Sequence, residues 1–355
     1  MQKKVNLKSK SIDELKEIFK GLKEPAYRAQ QLFVWMWRKG VEDISLYSNF
    51  SKKLRSRLEN DFYVGKVERE NFYISSDGAV KYVFRKEDGK RIESVYIPSD
   101  DRTTVCVSTQ VGCPLGCFFC ATGKRGFEGN LEGWEIADQV LQISKHQQVR
   151  ISNVVFMGMG EPLLNLHRVK EALYILNSSF GMGIGARRMT VSTAGIVEGI
   201  LDLANFSMQI RLALSLNSAI QEKREEIMPV TRKYPLYVLK DALKIYYQKT
   251  HRMVTLEYVL IGKFNTGWED FLALKEFSKD LKVKINLIPF NPVEGVPFHT
   301  PTKKEVERFF NWCLSLPCSV NIRQSRGRDI KGACGQLAGI EGREKIGVVE
   351  QGVNH

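Results

Sequence analysis

The stretch Ser108-Thr-Gln-Val-Gly-Cys-Pro-Leu-Gly-Cys-Phe-Phe-Cys-Ala-Thr122 holds three cysteines, Cys113, Cys117 and Cys120, in the spacing C-x-x-x-C-x-x-C. Three thiolates can hold three irons of a [4Fe–4S] cluster and leave the fourth open to a small chelating ligand, whereas closed clusters take four cysteines. Structural zinc sites are four-coordinate and draw their ligands as close pairs. No second C-x-x-C follows, and the later cysteines, Cys313, Cys318 and Cys334, stand apart. The pattern favours an open-cornered cluster, with buried thiols or a zinc knob as the alternatives.

Around this stretch the chain alternates between strand and helix. Strands are expected at 104–107, 153–157, 189–192, 210–216, 254–260, 284–288 and 320–322. Amphipathic helical patterns lie at 134–143, 167–176, 236–247 and 303–314. Such alternation implies a parallel sheet with crossover helices. Polar motifs follow the strands: Gly160-Glu-Pro162, Ser192-Thr-Ala-Gly195 and Ser215-Leu-Asn217. Chemistry at the C-terminal rim of the strands is the barrel rule.

The region before it has a different period. Ser11-Ile-Asp-Glu14 reads as a capping box ahead of Leu15, Ile18, Phe19 and Leu22. A second helical stretch follows Pro25 and carries Phe33, Trp35, Met36 and Trp37; a third follows Ser51. The aromatics could stack on bases, but their helical spacing reads as core. Residues 1–62 are expected as a small helical domain. Next, Tyr73, Val80, Tyr82, Val83, Phe84, Val95 and Ile97 alternate around Asp77-Gly78 and Asp88-Gly89, two hairpin signals. Residues 63–102 are therefore expected as an antiparallel connector, 103–345 as the catalytic domain and 346–355 as a tail.

The net charge is +13. Residues 1–60 hold 14 lysines and arginines against 7 acidic residues, so over half of that surplus sits in about a sixth of the chain. Concentrated positive charge points to a polyanion, with nucleic acid the commonest; the alternative is solubility alone. The first residues lack the apolar core of a signal peptide, and no apolar run is long enough for a membrane span. The expected location is the cytoplasm. There an odd number of cysteines, seven, reads as ligands, catalytic thiols or core residues.

The cysteine spacing resembles that of the radical S-adenosylmethionine (SAM) enzymes, and Met157-Gly-Met-Gly-Glu-Pro-Leu-Leu-Asn165 resembles their Gly-Glu-Pro motif. Cys106, and Cys334 within Ser325-Arg-Gly-Arg-Asp-Ile-Lys-Gly-Ala-Cys-Gly335, resemble the extra pair of the dual-specificity RNA methyltransferases that modify carbon 2 of adenine. The resemblance runs from about residue 15 to 339. It implies a partial (βα)₆ barrel with a helical N-terminal domain, a [4Fe–4S] cluster on Cys113, Cys117 and Cys120, and two SAM molecules per turnover. It implies SAM contacts at Gly160, Glu161, Ser192, Ser215, Leu216, Asn217 and Asn291. It also implies that Cys334 carries the methyl group, that Glu93 accepts a proton, and that Cys106 forms a transient disulfide with Cys334. The implied partners are 23S rRNA, tRNA, an electron donor such as flavodoxin or ferredoxin, and a thiol reductant, with the enzyme a monomer. Asn217 stands where many members carry His, and Arg328 where an acidic residue is frequent. A sister group that methylates carbon 8 uses the same cysteines, and a radical SAM enzyme on a non-RNA substrate is the other alternative.

Overall fold

The computed structural model describes residues 4–338; the expected tail, and the end of the expected catalytic domain, lie outside the described residues. Val5–Asn6 (β1) pairs in parallel with Phe62–Tyr63 (β2), which closes the helical region on itself. Ser11 caps α1 (Ile12–Gly21): its hydroxyl accepts from Glu14 N–H at 3.2 Å, and Glu14 accepts from Ser11 N–H at 2.8 Å. α2 (Tyr27–Phe33) runs on into a π-turn over Val34–Arg38, and α3 (Lys52–Asp61) starts at the Ser51 cap. Phe33, Trp35 and Trp37 are buried, so here the helical spacing does mark core.

β3 (Glu68–Ile74), β4 (Val80–Arg85), β5 (Arg91–Ser99) and β6 (Arg102–Cys106) form an antiparallel meander. Its first two turns place Gly78 and Gly89 at positive φ, which Asp-Gly turns require. Residues 63–102 are antiparallel as expected, but they are more than a connector. β6 also pairs in parallel with the first inner strand of the barrel, so all ten strands make one sheet. A strand buried on both sides can bond a neighbour on each edge, and nothing in a one-dimensional pattern records which neighbours it takes.

After β6 come β7 (Gln110–Gly112), α4 (Ala121–Arg125), β8 (Phe127–Asn130) and α5 (Gly133–Gln147), with β7 and β8 as a separate ribbon. The parallel series then runs β9 (Asn153–Phe156), α6 (Leu166–Asn177), β10 (Met189–Thr193), α7 (Val197–Ala204), β11 (Arg211–Ser215), α8 (Gln221–Ile227), α9 (Leu236–Thr250), β12 (Val254–Leu260), α10 (Trp268–Ser278), β13 (Val283–Pro289), α11 (Lys303–Cys313) and β14 (Ser319–Ile322). Strands follow in chain order from β9 to β14 across the sheet. Among the described residues the sheet ends on unpaired edges at β3 and β14, so the barrel is partial. Cys313 is fully buried in α11 and belongs to the core.

The helical region docks on α5 through a buried ion pair: Lys8 Nζ lies 2.6 Å from Asp138, both side chains fully buried. One of the N-terminal cations is thus structural. No helix among the described residues is long and apolar enough to cross a membrane.

Candidate active site

Cys113, Cys117 and Cys120 lie on the loop between β7 and α4 and line one cavity with Leu115 and Phe119. The loop is strapped at both ends. Gly112, at φ +73°, lets the backbone pass the Gly126 carbonyl, where a Cβ would sit 1.8 Å from its oxygen. Cys113 N–H donates to that carbonyl at 2.8 Å. Phe118 N–H donates to Ile227 O at the end of α8, and Ala121 N–H donates to Gly335 O, beside Cys334. Burial pushes the Cys113 thiol up to about 12 and raises Cys117 and Cys120 as well. Such thiols give up their protons to a metal, not to water. Among the described residues no three His, Cys, Asp or Glu side chains converge on a point for a single metal ion.

The same cavity encloses ≈ 980 Å³ of empty space, its open mouth included, and is lined by Gly160, Glu161, Ser192, Ser215, Asn217 and Asn291. Strand ends place them. Gly160 has φ +100°, and a Cβ there would meet Gln110 Cβ at 2.5 Å, so only glycine fits this approach of the β9 loop to β7. Glu161 is buried and accepts from Ala194 N–H at 2.7 Å and Leu163 N–H at 3.0 Å. Among the described residues no cation is paired with it, and burial raises its carboxyl to about 7. Ser192 and Ser215 face each other at 3.5 Å. Asn291 donates to Ser325 Oγ and to Cys334 O, both at 3.0 Å, while its Oδ1 is buried without a partner.

Two expected contacts behave differently. Leu216 is fully buried and does not line the cavity. Asn217 lines it, but its Oδ1 accepts from Val259 N–H at 3.0 Å and its Nδ2 meets Met228 Sδ at 3.2 Å. Its side chain is committed to the protein, and its φ of +58° is a left-handed conformation that asparagine tolerates.

Beneath this rim lies Arg224, fully buried on α8 with no carboxylate partner among the described residues. Its guanidinium donates to the carbonyls of Ala194, Ser215 and Leu216 and to Thr231 Oγ1. It ties the ends of β10 and β11 to the helix that receives the cysteine loop. Burial lowers it to about 10, so it stays charged at neutral pH, and Cys117 favours the charge. Sequence reading missed it because Gln221-Glu-Lys-Arg-Glu-Glu reads as a solvated helix face.

Cys106 and Cys334, far apart in sequence, line a second cavity together with Cys120. Burial pushes the Cys106 thiol up to about 12, with Cys334 adding to the rise and Arg323 opposing it. Arg323 is the cation shared by both thiols. Cys106 is paired in register with Val95, and Glu93 lies two residues along the same strand, so Glu93 shares the face of Cys106. Glu93 does not line either cavity. It is sealed beneath the segment after Cys334: its Oε2 accepts from Ala338 N–H at 2.9 Å, and Lys81 Nζ lies 3.4 Å from its Oε1. Lys81 and Glu93 sit diagonally on adjacent strands, both buried. Glu257 on β12 borders both cavities, 4.0 Å from Arg323 and held by Asn286 at 3.0 Å. A carboxylate inside Val254-Thr-Leu-Glu-Tyr-Val-Leu260 was the sequence signal for it.

Residues 107–277 match the Radical SAM superfamily, and residues 5–64 match the ribosomal RNA large subunit methyltransferase N-terminal domain. The chain is 42% identical over 339 residues to the dual-specificity RNA methyltransferase RlmN of Geobacter sulfurreducens, covering 96% of this chain and 93% of the relative. It is 40% identical over 336 residues to the RlmN of Geotalea uraniireducens, covering 95% and 97%. The chain belongs to the RlmN family. A crystal structure of a radical SAM methyltransferase from Sphaerobacter thermophilus matches it with a TM-score of 0.90 at 37% identity, covering 95% of this chain and 100% of that one.

RlmN-family membership brings a [4Fe–4S] cluster and SAM, and the residues present fit both. Three soft thiols share one wall of a cavity. Its other wall offers a carboxylate without a cation and a buried carbonyl oxygen without a donor. SAM, if bound there, would supply a cation and donors to these two groups.

Proposed function

We propose that this RlmN-family chain methylates carbon 2 of an adenine in the peptidyl-transferase centre of 23S rRNA, and an adenine beside the tRNA anticodon. The observation that carries the reading is the meeting of Cys106 and Cys334 in one cavity with cluster-loop Cys120. Carbon 2 of adenine is electron-poor and bears no acidic proton, so direct displacement on SAM fails there. A methyl group held on a protein thiol and activated by hydrogen abstraction avoids that barrier.

Cys113, Cys117 and Cys120 would hold the cluster; Gly160, Glu161, Ser192, Ser215, Asn291 and the backbone at Leu216–Asn217 would hold SAM. Cluster and SAM together supply the methyl group and the hydrogen-abstracting radical, at two SAM per turnover. Cys334, among Gly332, Ala333 and Gly335, carries the methyl group on its sulfur, and its activated carbon bonds to carbon 2. Glu93 takes the ring proton once the segment above it lifts. Cys106 then bonds to the Cys334 sulfur as the sulfur–carbon bond breaks. The freed carbon takes up the proton that Cys106 gives up and becomes the methyl group, the one surplus electron would pass back to the cluster, and an external dithiol reductant reopens the disulfide. Arg323 favours the Cys106 thiolate that this exchange needs.

The proposal includes a helical RNA-contacting domain at 1–62, the meander at 63–102 and the catalytic barrel from 103. It also includes a monomeric cytoplasmic enzyme fed by a flavodoxin or ferredoxin. The test is nucleoside mass spectrometry of a 23S rRNA fragment after incubation with reconstituted enzyme, SAM and reductant, alongside peptide mass spectrometry of Cys334. 2-Methyladenosine and a methyl group on Cys334 are expected. 8-Methyladenosine would overturn the carbon-2 assignment, and an unmethylated Cys334 the thiol-carrier route.

A further inference from the structure

The cavity that holds Cys106, Cys120 and Cys334 does not stop at the cysteines. It runs down the concave face of the open barrel to the opposite, N-terminal ends of the strands, enclosing ≈ 2080 Å³ of empty space with its mouth included. That is more than double the first cavity and larger than a small cofactor needs. Arg102 opens β6, Arg188 precedes β10, Arg211 opens β11 and Lys284 is the second residue of β13; all four line this end. Arg102 to Cys106, or Arg211 to Ser215, is four residues of strand, about 13 Å. That is the order of the span from a base edge through its sugar to a neighbouring phosphate.

We propose that Arg102, Arg188, Arg211 and Lys284 form a phosphate-binding mouth that grips the substrate RNA backbone while the target adenine reaches the cysteines at the other end. The proposal rests on the RNA methyltransferase reading above. Three observations carry it. First, the cavity lining holds six cations, with Arg323 and Arg326 joining the four, against one carboxylate, Glu257. Second, the side chains of the four make no ion pair or hydrogen bond with other described residues, unlike N-terminal cations such as Lys8, Lys10, Lys16, Lys20 and Arg28, each within 4.0 Å of a carboxylate. Third, the cations crowd one another: burial, then the charges of Arg211 and Arg102, hold the Lys284 ammonium below its usual range, with only Glu257 pulling the other way. A row of phosphates relieves that crowding, and its counterions are released on binding. The N-terminal surplus counted in sequence is in part neutralised by ion pairs; Arg102, Arg188, Arg211 and Lys284 have none with other described residues.

The experiment measures binding of a fluorescent 23S rRNA fragment to reconstituted holoenzyme at several salt concentrations, for wild type, R188Q/R211Q and, as an equal charge change on exposed residues of α3, K52Q/K53Q. The first variant is expected to lose about tenfold or more in affinity. Its log K against log salt slope should fall by roughly 1.4, two phosphates at about 0.7 each for a single strand. The α3 variant should lose less of both. Iron content and RNA-independent SAM cleavage should match wild type in each, which shows the cluster end intact. K284Q reads the same mouth through one residue if the double variant fails to load iron. Wild-type affinity and slope in R188Q/R211Q, or in K284Q where that variant stands in, would overturn the proposal. If wild type itself neither binds nor methylates the RNA, the function reading fails instead, and the two failures are distinguishable.

Discussion

The two sets of cysteines around the site are built in opposite ways. Cys113, Cys117 and Cys120 fall within one loop, fixed by short backbone bonds from Cys113 to Gly126 and from Cys120 to Cys117. Cys106 and Cys334 come from a strand and from a loop past the last strand, and they meet only because the sheet curves round to bring both to one cavity. The first set needs local geometry; the second needs the whole barrel. Local sites are read from spacing and lost by one substitution, whereas assembled sites also depend on supports that touch neither thiol.

The sharpest way to break the comparison is on the local set. Replacing Cys113, Cys117 or Cys120 by Ala leaves two of the loop's three thiols for the cluster. The expected outcome is 5′-deoxyadenosine at background, measured with dithionite as reductant, and no RNA methylation. Wild-type yield from any of the three would remove that residue from the cluster.

The assembled pair should fail later in the reaction. Cys106→Ala is expected to clear SAM normally and then accumulate protein covalently joined to RNA, because Cys334 has already bonded to the base and no second sulfur is there to release it. Cys334→Ala should give no adduct, and the double variant should behave as Cys334→Ala does. Denaturing gels with and without ribonuclease read this directly. An RNA-linked band in Cys334→Ala, or none in Cys106→Ala, would falsify the order of the two thiols.

The same division governed what could be read from the chain. All seven parallel strands, the Ser11 cap and both Asp-Gly hairpins were legible, because each rests on period or turn chemistry within a dozen residues. The cluster loop was legible for the same reason. That Cys106 and Cys334 share a cavity was legible only through family resemblance; nothing in Thr-Val-Cys-Val-Ser sets Cys106 apart from a small core residue. Arg224 and Lys81 were not legible at all. Each is a cation in an ordinary-looking helix or strand, and its burial depends on elements folded over it from elsewhere. Asn217 lines the cavity as its place after β11 suggested, but the fold spends its side chain on Val259 and Met228, which its residue type did not reveal. The continuity of the meander with the barrel was likewise a matter of pairing partners, not of pattern.

Lys81 sharpens the comparison, because it supports the assembled pair from the far side of Glu93. Removing one member of a buried ion pair strands the other charge, at a cost of roughly 4 kcal/mol. Lys81→Met should lower the urea midpoint accordingly, while Lys81→Met with Glu93→Gln should recover most of the loss, since no buried charge is left alone. Iron content should stay at the wild-type level in both, because neither residue touches the cluster loop. Strictly additive stability losses in the two single and the double variants would show that the 3.4 Å pair is not coupled.

Glu161 is the counterpart on the cluster side, a buried carboxylate with two backbone donors and no cation. Glu93 has its own lysine, whereas Glu161 has no cation among the described residues. Its carboxyl, raised from 4.5 to about 7 by burial, binds a proton in the folded state over a pH range where the unfolded chain has released it. The sign follows: from about pH 4.5 to 7 the folded state holds more protons, so stability falls as pH rises, and above 7 this contribution is flat. At 1.36 kcal/mol per unit the full loss is at most roughly 3 kcal/mol, before relaxation of the site reduces it. Glu161→Gln has no such titration. In the apo protein, urea unfolding at pH 5 and pH 8 should therefore show wild type losing more stability than Glu161→Gln, every other titrating group being common to both. SAM should bind wild type better at pH 8 than at pH 5, since an ionised Glu161 accepts its ammonium, and should bind Glu161→Gln weakly at both. An identical pH dependence of unfolding in the two proteins would mean that Glu161 is ionised throughout. The contrast between a carboxylate paired by the protein and one left for the cofactor would then be lost.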